Sequence, residues 1–377
     1  MGASALPVPY AAVEITGIDD TWRTSPYSRT VLSGRSSAQG QNYEVLSQQA
    51  TPTLEQIQST RAATAESSID VTSLPEDTPA VIGELAAQVT AGAGSDYDKL
   101  LALKIPDVEH TYIDKDTILY ALGVGLGQDP LDLKQLDFVY EKNLKALPTY
   151  AAMLAYPGFW VRDLDTGIDW VRIVNGEQSV TLHQPLTPTG TVVGKTRVTE
   201  VIDKGQGKGA LVYAERKVTD KATGALIATV TQTTFCRADG GFGGPLRESP
   251  PVHPIPDRKP DLVCDLGTRP EQAAIYRLSG DRNPLHIDPD MAKTAGFPKP
   301  ILHGLGTFGV VGHALLKSVF DYDPARVASF GGRFSSPVFP GETIRTEMWR
   351  DGNVVSFRAS VPDRNVVVMN NGRAEVR

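Results

Sequence analysis

The stretch 276–289 reads YRLSGDRNPLHIDP and places an acid, an amide and an imidazole, Asp281, Asn283 and His286, within six residues. A continuous helix would hold Asp281 and His286 roughly 140° apart around its axis. Pro284 lies between them, cannot continue a helix, and drives Asn283 towards an extended conformation. The segment is therefore predicted to turn, and a turn can direct all three side chains at one point.

This polar trio suits chemistry on a water molecule. A carboxylate and an imidazole that share one water can remove one proton and supply another, while the asparagine amide fixes the position of the water. The sequence offers no better nucleophile, because it has no Gly-x-Ser-x-Gly turn and neither Cys236 nor Cys264 has a motif partner. The trio therefore predicts addition or removal of water.

A second motif follows directly, because residues 298–309 read PKPILHGLGTFG. A helix that begins at Gly304 would present free backbone N–H groups and a positive dipole end to an oxyanion. His303 is interpreted as a structural residue that holds the turn. The ligand types of His286, Asp288 and His303 suit a metal, but their spacing matches no standard site, so no metal is expected.

The composition excludes several classes of protein. The 377 residues are 41% apolar, carry a net charge of −7 and have a pI near 5.5, which argues against a nucleic-acid surface. No apolar run is long enough for a membrane span, and the N-terminus lacks a signal pattern. Two cysteines fit a reducing compartment, and the C-terminal residues AEVR are not a peroxisomal signal. A cytoplasmic location is expected.

Changes in residue composition along the chain predict four parts: an appendage at 1–103, domains at 104–240 and 263–377, and a Gly/Pro-rich connector at 241–262. The appendage is expected to be disordered or partly helical, with helices at 53–65 and 78–93. Within the first domain, helices are predicted from residue 114 and over 136–155. Strand-like runs then follow in each domain.

The two domains also resemble each other. ILYALGVGLGQDPLD at 118–132 parallels AIYRLSGDRNPLHID at 274–288, and QPLTPTGTVV at 184–193 parallels SPVFPGETIR at 336–345. The similar offsets indicate one duplication. The first copy lacks the histidine, which predicts a single site per chain and a first half adapted to holding substrate.

The two motifs together resemble those of the MaoC-like (R)-specific enoyl-CoA hydratases, and the region of about 105–377 resembles the double hot-dog hydratase 2 type. The resemblance implies an α+β fold of two antiparallel sheets, each wrapped around a long central helix. It implies reversible hydration of trans-2-enoyl-CoA to (3R)-3-hydroxyacyl-CoA in fatty acid metabolism and β-oxidation, without a cofactor. A homodimer is expected. Residues 1–103 instead resemble the region that precedes the core of bacterial transglutaminase-like proteins.

The resemblance also implies roles for individual residues. Asp281 and His286 would activate the water together, Asn283 would orient it, and the Gly304 amide would polarise the thioester carbonyl. The implied acyl-CoA contacts are Asn175, Gly176, Lys204, Arg282, Pro284, Leu285 and Phe334. Asn175 departs from the family, which usually has histidine at this position.

Three alternatives stay open from the sequence. The first is a 3-hydroxyacyl-thioester dehydratase that works in the biosynthetic direction. The second is an acyl-CoA-binding module without activity, which the intact Asp281 and His286 argue against. The third is a thioesterase, since hot-dog folds also host such enzymes, and release of free CoA would distinguish it.

Overall fold

A computed structural model describes residues 97–242 and 249–377, together with five short strands within the first 47 residues. The chain divides into two compact units, Met1–Pro79 and Ala80–Arg377. No helix among the described residues has the length and apolarity that a bilayer crossing requires.

The first unit contains five short strands. Its strands are β1 (Ala5–Leu6), β2 (Ala12–Thr16), β3 (Trp22–Ser25), β4 (Thr30–Ser33) and β5 (Glu44–Ser47). They form a three-stranded sheet in the order β1-β4-β3 and a separate β2-β5 pair. These strands lie ahead of the segments for which helices were predicted. The helices predicted at 53–65 and 78–93 lie outside the described residues.

The second unit is built on one antiparallel sheet of ten strands. These are β6 (Val108–Tyr112), β7 (Ile173–Leu182), β8 (Gly190–Asp203), β9 (Ala210–Asp220), β10 (Leu226–Cys236), β11 (Leu262–Gly267), β12 (Val327–Phe334), β13 (Thr343–Asp351), β14 (Val354–Val361) and β15 (Val366–Val376). Their order is β11-β13-β14-β15-β12-β7-β10-β9-β8-β6. Counted along the chain, each half has the strand order 1-3-4-5-2. This shared topology supports the duplication that the sequence indicates and gives the double hot-dog fold.

The two halves join edge to edge instead of forming separate sheets. Strand β12 pairs antiparallel with β7, with Ser329 opposite Thr181 and Arg333 opposite Glu177. Each of these strands would otherwise leave a row of unpaired backbone groups at its edge. The expectation of two sheets is thus corrected to one continuous sheet that contains both hot-dog halves.

The helices are shorter than the sequence patterns predict, with one exception. They are α1 (Asp114–Gly123), α2 (Leu133–Leu136), α3 (Trp160–Asp163), α4 (Gln272–Tyr276), α5 (Pro289–Thr294) and α6 (Gly304–Ser318). Short 3₁₀ turns occupy Pro148–Ala152, Trp170–Arg172, Arg277–Ser279, Pro284–His286, Pro324–Arg326 and Pro362–Arg364.

Among the described residues, only the second half has a long central helix. Helix α6 is buried on almost every side, as its apolar sequence requires. At the corresponding place the first half has the buried 3₁₀ turn Pro148–Ala152. The helix predicted over 136–155 is wrong because Pro148 lacks a backbone donor and Asn143 adopts a positive φ of 59°.

Candidate active site

The polar trio lies on a turn that its own sequence fixes. Gly280 has a φ of 133° and ends the 3₁₀ turn that follows α4. The backbone N–H of Asn283 donates to Asp281 Oδ1 at 3.1 Å, and Asn283 Oδ1 accepts from the Leu285 N–H at 3.1 Å. Asn283 thereby caps the short helix Pro284–His286 and directs its histidine inward.

His286 is held by a backbone carbonyl that comes from a different segment. It is 8% exposed, and its Nδ1 lies 2.9 Å from the carbonyl oxygen of Ile301. Because a carbonyl only accepts, Nδ1 carries the proton and Nε2 presents a lone pair. Burial lowers the pKa of His286, partly opposed by the Asp281 carboxylate. The neutral imidazole can therefore accept a proton at physiological pH.

His303 is completely buried behind these two residues. Its Nε2 donates to the backbone carbonyl of Asp281 at 3.1 Å, and its ring stacks on His286 with centroids 3.7 Å apart. Burial, together with the neighbouring His286, lowers the pKa of His303 to about 2. The ring is therefore a neutral support that contacts both the Asp281 loop and the His286 imidazole, in line with the structural interpretation of His303 from the sequence.

The ligand atoms of Asp281, His286 and His303 lie within 4.8 Å of one another. A metal ion requires imidazole lone pairs that converge in their ring planes at about 2.0–2.1 Å. The two rings instead stack with an interplanar angle of 28°, so their in-plane lone pairs lie in two nearly parallel planes. Asp288, the other acid considered as a ligand, accepts from the Asp290 N–H at 2.9 Å and caps α5. Stacked rings do not provide the converging lone pairs that coordination requires.

Gly304 opens helix α6 directly after His303. The first N–H groups of a helix have no partner within it and lie at its positive end. A methyl group built on Gly304 would lie 3.7 Å from the ring of Phe334. The Cα of Gly304 therefore faces the ring of Phe334, and Gly304 itself directly follows His303 of the His286–His303 pair.

Several predicted acyl-CoA contacts meet where the two halves join. Phe334 follows Arg333, which is opposite Glu177 across the β12–β7 seam, and Asn175 and Gly176 come directly before that position. The Asn175 Oδ1 atom is buried without a hydrogen-bond partner within the described residues. This part of the seam lies beside Gly304 through the ring of Phe334.

The remaining predicted contacts are at the surface around the site. The ammonium of Lys204 is exposed and lies 5.4 Å from the ring centroid of Phe235, whose strand neighbour is Val174. Arg282 and Pro284 are exposed on the turn. Arg282 and Pro284 therefore lie on the turn that carries the trio, whereas no contact among the described residues connects Lys204 with that turn.

Leu285 is half-buried on the same turn as the trio. Glu141, whose place in FVYEKN suggests either a structural or a site residue, is exposed. The sequence reasoning also missed Arg216, although its strand alternates apolar residues on one face and Arg216 interrupts that face.

An antiparallel sheet around one long helix, with an acid and an imidazole at the helix N-terminus, defines a hot-dog protein built for acyl-thioester water chemistry. Residues 110–238 match the MFE-2 hydratase 2 N-terminal domain, and residues 251–371 match the MaoC like domain. The chain belongs to the MaoC-like hydratase 2 family, whose members are hydro-lyases. Neither match extends into residues 1–103, so the transglutaminase-like resemblance stays a prediction.

Relatives support the same assignment. The chain is 38% identical to the peroxisomal enoyl-CoA hydratase 2 of Arabidopsis thaliana, covering 72% of this chain and 93% of that one. It is 43% identical to the 3-hydroxyacyl-thioester dehydratase Y of Mycobacterium tuberculosis, covering 63% and 82%. A crystal structure of a MaoC-like dehydratase from Phytophthora capsici superposes with a TM-score of 0.66 at 38% identity, covering 74% and 98%.

Proposed function

We propose that the chain hydrates trans-2-enoyl-CoA thioesters to (3R)-3-hydroxyacyl-CoA, reversibly. The observation that carries this proposal is the convergence of Asp281 and His286 beside the amide end of α6. The family supplies the class of substrate, and the site supplies groups for each event that hydration requires.

The first event is removal of a proton from water. His286 Nε2 presents a lone pair because its Nδ1–H donates to Ile301. As the water oxygen bonds to C3, His286 takes one proton, and the Asp281 carboxylate accepts the second hydrogen bond of the water and stabilises the imidazolium. The free amide of Asn283 lies on the same turn and holds the water in place. Positioned acid–base groups of this kind contribute about 10²–10⁴-fold to rate.

The second event is the build-up of negative charge on the thioester oxygen. As C3 accepts the hydroxyl, electrons move through C2 onto that oxygen and form an enolate. The Gly304 N–H at the start of α6 is placed to donate to it, and the helix dipole favours the charge. The proton then passes from His286 to C2, the thioester carbonyl re-forms, and one water has been added.

The first half supplies binding and no second reaction centre. At the place of the trio it reads GQDPLD, and no histidine stands there. We assign residues 104–240 as the acyl-binding half, 241–262 as the connector and 263–377 as the catalytic half. The predicted contacts Asn175, Gly176 and Phe334 at the β7–β12 seam support an acyl-CoA route between the halves.

The test is loss of the enoyl-thioester absorbance when purified protein meets a short and a medium trans-2-enoyl-CoA. The product is then offered to an (S)-specific hydroxyacyl-CoA dehydrogenase. Loss of absorbance with a product that this enzyme refuses is the expected result. Binding without turnover would indicate an inactive binding module, and release of free CoA would indicate a thioesterase.

The 43% identity to a 3-hydroxyacyl-thioester dehydratase favours a second candidate, which is the same reaction run towards the enoyl thioester. The equilibrium ratio is the same for either role, so the discriminating measurement is kcat/KM for enoyl and (3R)-hydroxyacyl thioesters on CoA and on acyl carrier protein. A marked preference for the carrier-protein thioester would favour the biosynthetic role.

A homodimer, a cytoplasmic location and a role in β-oxidation also belong to this proposal. Homodimerisation is tested by light scattering of the full chain. Some relatives are named peroxisomal, so imaging of the tagged full chain in its own cell decides the location. Accumulation of enoyl-CoA in cells that lack the protein tests the β-oxidation role.

A further inference from the structure

Strand β9 carries a positive charge on its buried face. Alternate residues of a strand point to the same side, and on the inner side of β9 Val212, Ala214 and Val218 are buried apolar residues. Arg216 stands in the same row and is only 6% exposed. A charged residue inside an apolar row requires compensation, because an unpaired buried charge is costly.

The compensation that the protein provides is incomplete. One guanidinium nitrogen of Arg216 donates to the carbonyl of Ala152 at 2.5 Å, and the cation lies 5.6 Å from the ring centroid of Tyr156. The Nε atom is buried without a hydrogen-bond partner, and within residues 97–242 and 249–377 no carboxylate pairs with this side chain. The adjacent Glu215 pairs instead with Arg197 at 3.1 Å.

Neither neighbouring group removes the charge. Burial lowers the pKa of Arg216 to about 10, so the guanidinium stays cationic at neutral pH. Burial and the Asp281 carboxylate raise the pKa of Tyr156 to about 12, so the phenol stays neutral. The inner face of the first half therefore holds a cation without a matching anion.

This cation lines a cleft that begins at the active site. The cleft is narrow, with a cavity volume of about 10 Å³. Its polar lining residues are Gln178, Thr196, Gln232 and Arg216, together with Glu215, whose carboxylate is held by Arg197. The lining also contains Leu305, the residue after Gly304. An acyl chain attached to a thioester at Gly304 would pass Leu305 on its way to Arg216 and would have to widen the cleft as it entered.

We infer that the cleft binds acyl chains that end in a carboxylate, and that Arg216 pairs with this distal anion. The inference rests on the proposed function, since it places the thioester end at Gly304. A carboxylate suits the site because a guanidinium donates two parallel hydrogen bonds to it. The free Nε–H of Arg216 and the side-chain amide of Gln232 complete a site for such a group.

Binding of substrate-sized thioesters tests this without requiring turnover. Calorimetric titration of the full chain compares decanoyl-CoA with the CoA monothioester of the ten-carbon dicarboxylic acid, which differs only at its far end. A charge-assisted hydrogen bond in a desolvated site predicts tighter binding of the dicarboxylic form by about ten- to a hundredfold. Equal or weaker binding of the dicarboxylic form by the wild type would overturn the inference, whatever any variant does.

Variants test whether Arg216 causes the tighter binding of the dicarboxylic thioester. Arg216→Gln is expected to bring the ratio of the two Kd values close to one, while Arg216→Lys retains part of it. Arg345→Gln is the matched control, because this arginine is exposed on β13, does not line the cleft and should leave the ratio unchanged. A ratio that survives in a folded Arg216→Gln variant would show that Arg216 only supports the Ala152 turn.

The same two chains as trans-2-enoyl thioesters separate this inference from the proposed function. If both thioesters are hydrated and the carboxylate-ended one has the higher kcat/KM, the proposed function and the carboxylate site are both supported. Hydration of both without preference, together with equal Kd values, overturns the inference alone. Preferential binding without hydration of either overturns the proposed function and supports the carboxylate site.

Discussion

The imidazole rings of His286 and His303 stack with centroids 3.7 Å apart, and each ring donates its N–H to a backbone carbonyl, of Ile301 and Asp281 respectively. These two hydrogen bonds fix opposite tautomers. His286 keeps Nε2 as an acceptor towards the site, whereas the lone pair of His303 is buried on Nδ1. One ring is thus prepared for proton transfer and the other is an uncharged support.

Asp281→Asn is expected to lower kcat by about 100-fold or more, because it removes the charge that stabilises the imidazolium. The amide has nearly the same shape and still accepts from the Asn283 N–H, so the fold is retained. Steady-state kinetics and thermal unfolding of the same preparation check this. An unimpaired rate, or a large loss of Tm, would contradict the assigned role.

The acid limb of the pH–rate profile should have its midpoint below 6.5. Activity requires neutral His286, and burial lowers the pKa of His286 below its usual value of about 6.5. As the pH falls, kcat/KM therefore stays on its plateau until His286 takes up a proton. The measurement is kcat/KM from pH 4.5 to 8.5, and a midpoint above 7 would mean that another group controls the limb.

The free energy of unfolding should also decrease as the pH is lowered, because His303 is buried in its neutral form. Its folded pKa is about 2, while an unfolded histidine has a pKa of about 6.5. The unfolded chain therefore binds more protons between these values, and the free energy of unfolding is highest above pH 6.5 and declines as pH drops. Urea unfolding at pH 7.5 and pH 5 measures the difference.

A non-titrating replacement tests the assignment to His303. His303→Gln should reduce the pH dependence, at the cost of a lower stability at pH 7.5 of about 1–3 kcal/mol where the Asp281 carbonyl loses its partner. The matched control is His183→Gln, because His183 is an exposed histidine that directly follows β7. An equal pH dependence in the wild type and His303→Gln would rule out the buried imidazole as its source.

Local signals explain which parts of the site the sequence predicts. Pro284, Asn283 and Gly280 determine the turn through their own backbone preferences, so the inward direction of His286 follows from neighbours in sequence. The carbonyl of Ile301, which sets the tautomer of His286, comes from a separate loop. That contact depends on how two loops pack, and no local preference encodes it.

In the fold, too, local features could be predicted from the sequence and long-range contacts could not. The strand order repeats in both halves as the duplication implies, but the β7–β12 seam depends on two edges meeting and has no local signature. The predicted helix 136–155 failed because its apolar residues are buried in turns around Pro148. The sequence shows Arg216 as a charged residue in the apolar row of β9. Its proposed role as a binding residue becomes apparent only from the cleft that it lines.

The Gly304→Ala variant tests whether the thioester enters the space beside Gly304, because this substitution should leave the fold intact. The added methyl would lie 3.7 Å from the Phe334 ring, which is an ordinary contact, so we expect a change in unfolding free energy within about 1 kcal/mol. Alanine keeps the N–H, but its methyl occupies the space that the thioester must enter, so kcat/KM should fall at least about tenfold. Gly267→Ala, with open space around the added carbon, is the control. A Gly304→Ala enzyme with wild-type kcat/KM would place the thioester elsewhere.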